Sequence, residues 1–103
     1  MTKELTIYDY DQEPVKIEIP DYEKVTEVSC EVISGDEVLT VTYEDGSEVT
    51  FDSSQDRLHD YDDGFVNIPL TLIDKISDIP NSYDMLRYFE LHPEDVFENQ
   101  VEA

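Results

Sequence analysis

Apolar residues recur at every second position across residues 25–52: Val28, Cys30 and Val32, then Leu39, Val41 and Tyr43, then Val49 and Phe51. A period of two marks strands with one face on a core. Gly35 and Gly46 divide the stretch into three antiparallel strands joined by two tight turns. A two-residue turn at Gly35 and Asp36 pairs Ser34 with Glu37, Val32 with Leu39, Cys30 with Val41 and Val28 with Tyr43, so that apolar residues oppose one another. A three-residue loop at Glu44, Asp45 and Gly46, with Gly46 left-handed in a bulge, pairs Tyr43 with Ser47, Val41 with Val49 and Leu39 with Phe51. The opposite face then carries Glu27, Ser29, Glu31, Thr40, Thr42, Glu44, Glu48, Thr50 and Asp52, without Lys or Arg. In this register Glu27 opposes Glu44, a like-charge pair that weakens a sheet by roughly a few tenths of a kcal/mol.

The flanking segments complete the fold. Residues 4–19 read as a hairpin, with Leu5 and Ile7 facing Val15, Ile17 and Ile19, and with Pro14 and Pro20 placing the second strand at an edge. Its connection holds Asp9, Asp11 and Glu13 around Tyr8 and Tyr10. Residues 53–64 form an acidic loop with Asp56, His59, Asp60, Tyr61, Asp62 and Asp63, and residues 65–68 a further short strand. The period then changes. Leu72, Ile73 and Ile76 fit one helix that ends near Pro80, and Met85, Leu86 and Phe89 fit a second capped by Asn81 or Ser82, with Tyr83 partly covered. Pro93 opens a final helix containing Val96 and Phe97. The expectation is an α+β fold in a single domain, 1–103: a mainly antiparallel sheet over 1–68 and short helices over 69–99. The N-terminal hairpin and the three-stranded meander give five to six strands, packed by two or three helices.

Composition changes the picture through charge. There are 27 acidic and 6 basic residues and a formal net charge of -21, with fifteen acids in residues 1–52 and twelve in 53–103. The charge is thus spread along the whole chain. Such a field repels nucleic acid and anionic membrane and attracts basic surfaces. Adaptation to high salt fits poorly, because alanine occurs only at Ala103 while Ile is common and Lys outnumbers Arg. The start of the chain lacks the apolar run of a signal peptide, and no segment approaches about 18 consecutive apolar residues, so the expected location is the cytoplasm. Cys30, the single cysteine, reads as a small buried hydrophobe.

Candidate chemistry is sparse. An EF-hand loop needs Gly at its sixth position and Glu at its twelfth. Counting from Asp60 puts Gly64 one place early, and counting from Asp9 puts Pro14 and Pro20 at those two positions. A looser divalent site around Asp60, Asp62 and Asp63 stays open, but the expectation is no metal and no cofactor. His59, His92, Cys30 and scattered serines form no nucleophile motif, and carboxylate pairs are unavoidable with so many acids. The chain is expected to be no enzyme.

What remains is acid interleaved with tyrosine. The partner-binding candidates are Glu27, Glu31, Glu44, Glu48 and Asp52 on the meander; Asp9, Tyr10, Asp11 and Glu13 in the hairpin connection; and Asp60, Tyr61, Asp62 and Asp63 in the acidic loop. Alternate residues on a strand face lie about 6.6 Å apart, so a carboxylate row can approximate a row of phosphates. The expected partner is a basic protein, a nuclease or other nucleic-acid-binding protein, inhibited by charge mimicry of DNA or RNA. No direct contact with nucleic acid or membrane is expected. Anti-CRISPR and anti-restriction proteins of phage, glycosylase inhibitors and nuclease-immunity proteins share this general character of size and charge. The alternative is an acidic interaction module of phage or bacterial origin that binds without imitating nucleic acid.

Overall fold

The structure, a computed structural model, describes residues 1–54 and 62–91. Among the described residues, six strands form two antiparallel sheets: β1 (Lys3–Tyr8) with β2 (Pro14–Ile19), and a four-stranded sheet in the order β5-β4-β3-β6. The latter contains β3 (Val25–Ile33), β4 (Asp36–Tyr43), β5 (Glu48–Asp52) and β6 (Asp62–Asn67). A 3-10 turn at Leu70–Leu72, a short helix α1 (Lys75–Asp78) and a longer helix α2 (Ser82–Leu91) follow. The fold is therefore α+β, as the periodicities predict. The final helix expected around Val96 and Phe97 lies outside the described residues. Among the described residues, no helix is long and apolar enough to cross a membrane.

The hairpin pairs as its pattern requires, Leu5 with Ile17 and Ile7 with Val15. The β4–β5 register is also the predicted one, with Val41 opposite Val49 and Leu39 opposite Phe51. Gly46, at φ 90°, donates its N–H to Tyr43 O and closes the three-residue loop. The β3–β4 register differs. The turn is at Ser34 and Gly35, both left-handed at φ 53° and 85°. Two left-handed residues match the right-handed twist of the strands they join. The pairs become Val32 with Glu37, Cys30 with Leu39 and Val28 with Val41, a slip of two residues from the predicted pairing. A slip of two preserves which face each side chain occupies, so the apolar pattern cannot distinguish the registers. The change moves Glu37 from the turn-closing position opposite Ser34 to a place opposite Val32, on the same inner face, and sets Glu27 against Thr42, so the predicted opposition of Glu27 and Glu44 does not form.

Between the sheets lies the core, where Ile7, Ile19, Val28, Val32, Leu39, Val41, Ile76 and Met85 are essentially inaccessible. A fully buried aliphatic side chain contributes about 1.5–3 kcal/mol relative to an exposed one. Cys30 is buried here too. α1 packs on β1, and α2 packs on β6 and β3 through Met85, Leu86 and Phe89. Asn81 caps α2, its Oδ1 accepting the N–H groups of Tyr83 and Asp84. The helix predicted around Leu72, Ile73 and Ile76 is instead a 3-10 turn followed by one helical turn. Ile73 and Ile76 are buried and Leu72 half-buried. Tyr83, expected to be partly covered, is 53% exposed.

Candidate protein-interaction surface

Three cross-strand rows on the outer face of the four-stranded sheet hold the candidate acids and the hydroxyls between them. Asp52, Val38, Glu31 and Phe65 form one; Thr50, Thr40, Ser29 and Asn67 the next; Glu48, Thr42 and Glu27 the third. No Lys or Arg occupies a position on these rows. A bulge after Val25 turns both Thr26 and Glu27 outward while Val25 and Val28 stay buried. The four acids stand at the corners of a rectangle. Four residues of strand separate Glu27 from Glu31 and Glu48 from Asp52, about 13 Å, and two strand spacings separate the pairs, about 10 Å. Hydroxyls fill the centre, with Thr40 Oγ1 and Thr50 Oγ1 3.4 Å apart.

The acids therefore rim a hydroxyl-bearing centre. Ser29 stands between the acids of β3 and Thr50 between those of β5, so no strand carries acids at 6.6 Å spacing. Glu44 leaves the face altogether. It is exposed in the β4–β5 turn, and its N–H donates to Lys24 O at 2.9 Å. Ion pairs join the N-terminus to Glu23 and Lys3 to Asp74, at positions outside the three rows.

A second acidic surface forms at the end of the sheet. The Ser34–Gly35 turn brings together the hairpin connection and the start of β6, which are far apart in sequence. Asp63 Oδ2 accepts the Gly35 N–H at 3.0 Å and the Tyr83 hydroxyl at 3.1 Å. Asp36 Oδ1 accepts the Tyr10 N–H at 2.9 Å, and Ser82 Oγ donates to Gly35 O at 2.8 Å. Asp63 and burial together hold the Tyr83 phenol above its usual pKa, burial being the larger cause. Tyr10 and Tyr83 remain more than half exposed. Asp9 has an architectural role, its Oδ1 accepting the N–H groups of Asp11 and Glu13, and this leaves Asp11 and Glu13 exposed. Asp62 Oδ1 accepts the Gly64 N–H at 3.3 Å. Asp60 and Tyr61 lie outside the described residues, as do Asp56, His59 and His92.

No family model, no curated protein and no solved structure matches the chain.

The sequence reading missed Phe65, Asp36 and Glu37. Phe65 is 57% exposed on the acidic face, beside Glu31. The Phe65-Val66 alternation signals that one of the pair points outward, but only the pairing of β6 with β3 decides which. Asp36 and Glu37 are fully buried acids where the pattern favoured a turn residue and a hairpin-end residue. Among the described residues, no group of three or more His, Cys, Asp or Glu is arranged to hold a metal ion.

Proposed function

We propose that this protein is a small acidic inhibitor that binds a basic nucleic-acid-handling protein and occupies the surface it uses for DNA or RNA. The observation that carries this reading is the outer face of the four-stranded sheet, where Glu27, Glu31, Glu48 and Asp52 surround a hydroxyl-lined centre and no strand position is basic. Four carboxylates over about 13 Å of strand compare with about eight phosphate charges over the same length of duplex. The face therefore imitates the sign of a nucleic acid and part of its charge density. Asp11, Glu13 and Asp62, at the adjoining end, extend the negative surface. Association is steered by charge and weakens with salt.

Phe65 favours a second reading, an acidic module that recognises a basic protein without imitating nucleic acid. An exposed aromatic beside carboxylates resembles the anchors of protein interfaces, which phosphate backbones lack. Displacement separates the two readings. The immobilised protein is used to capture basic proteins, which are then challenged with duplex DNA or RNA at constant ionic strength. Release of the captured partner by nucleic acid supports mimicry, while capture that nucleic acid never reverses selects the second reading. Failure to retain any basic protein at low salt defeats both.

A further inference from the structure

Three N–H groups along one side of β1 and its continuation are satisfied by side chains where a neighbouring strand would otherwise supply carbonyls. Thr6 N–H donates to Ser77 Oγ at 2.8 Å, Tyr8 N–H to Glu37 Oε1 at 3.0 Å, and Tyr10 N–H to Asp36 Oδ1 at 2.9 Å. Glu37 is the central one and is fully buried on the inner face of the four-stranded sheet. Its Oε2 has no hydrogen-bond partner among the described residues. An ionised carboxylate removed from water needs several donors or a cation, whereas a neutral acid needs far less.

We propose that Glu37 is a proton-carrying clasp: as a neutral acid it holds the β1–β2 hairpin against the four-stranded sheet, and losing its proton releases that edge. The groups facing it fit this role. Tyr8 on β1 offers a single backbone N–H, and its hydroxyl is turned away to Ser77 O. On β3, Cys30 is buried, its thiol pushed up by burial first and then by the charge of Glu37. Asp36, the neighbour on β4, adds a second acid rather than a cation. At the end of β5, Ser53 Oγ accepts the Glu37 N–H and carries no charge.

Burial pushes the Glu37 carboxyl from 4.5 up to about 8, and the Tyr8 N–H offsets only part of that rise. The direction of the linkage follows. Between these two values the folded chain holds a proton that the unfolded chain has released, so folding weakens as pH rises, by up to about tenfold in the equilibrium constant per pH unit. Above about 8 the dependence from this group levels off.

The deciding experiment follows the carboxyl carbon of Glu37 by NMR from acidic to alkaline pH, together with solvent exchange at the Tyr8 and Thr6 amides, in the wild type and in Glu37→Gln. The expected result is an inflection for Glu37 well above the ordinary glutamate value of about 4.3. From the ordinary glutamate range up to that inflection, wild-type exchange at Tyr8 should accelerate beyond the tenfold per unit of base catalysis and return to it above, while the glutamine variant, which cannot ionise, shows base catalysis alone. An inflection in the ordinary carboxylate range overturns the proposal. So does a high inflection without excess exchange, because the hairpin then stays closed over the charge. Should Glu37→Gln fail to fold, coincidence of inflection and excess exchange in the wild type still decides the matter.

Discussion

Gly35 sits at φ 85°, and a Cβ built on it would lie 2.7 Å from Tyr10 Cβ. Two costs therefore combine in Gly35→Ala: left-handed strain of about 1–2 kcal/mol and overpacking of about 1–3 kcal/mol. Gly46 shares the left-handed backbone, at φ 90°, but has nothing within 4 Å of its Cβ position, so Gly46→Ala carries the strain alone. Denaturant unfolding should place Gly35→Ala below Gly46→Ala by the overpacking difference; equal midpoints would mean that Tyr10 does not press on the turn. The same turn shows why residue-scale reading fell short. A Gly35–Asp36 turn and a Ser34–Gly35 turn both satisfy turn chemistry and both keep every side chain on its face. What separates them is the burial of Asp36 and Glu37, and polarity argues against burying either acid. The backbone donors of Tyr8 and Tyr10, from another part of the chain, help to make that burial tolerable.

At the scale of elements, the side-chain cap along β1 explains why the hairpin and the four-stranded sheet remain separate. An open strand edge invites pairing with another chain, and here Ser77, Glu37 and Asp36 occupy that edge. Ser77 both accepts the Thr6 N–H and donates to Thr6 O at 3.2 Å. Ser77→Ala should destabilise by about 1 kcal/mol or somewhat more, since a part-buried donor loses its partner. Exchange at the Thr6 amide should accelerate more than at Leu5, and unchanged Thr6 protection would remove Ser77 from this role. The periodicities did predict the hairpin, the β4–β5 loop and the apolar stripe of α2, because local turn chemistry and alternation agree there. The division into two sheets and the docking of β6 on β3 were illegible, since neither is specified by neighbours in sequence. For the candidate site, Glu27, Glu31, Glu48 and Asp52 could be assigned to one face from parity alone. The meeting of Tyr10 with the Asp63 region could not, because it needs the fold.

For the whole molecule, a formal charge of -21 over 103 residues is a standing self-repulsion. Raising salt from about 0.02 to about 0.5 M shortens the screening length from tens of ångströms to a few. The thermal midpoint should therefore rise with salt, and a midpoint that falls would show that attractive ion pairs dominate instead. Binding should respond in the opposite direction, because the same screening weakens attraction to a basic partner. A surface that destabilises its own fold yet draws in a basic protein is the core of the functional proposal. Its most direct test is the affinity of the captured basic partner for the wild type and for the combined variant Glu27→Gln, Glu31→Gln, Glu48→Gln and Asp52→Asn, measured across a salt series. With each exposed charge contributing about 0.2–1 kcal/mol, the variant should fold at least as well as the wild type, bind about tenfold or more weakly at low salt, and show a shallower salt dependence. Unchanged affinity and an unchanged salt slope would contradict the assignment of partner binding to the outer face.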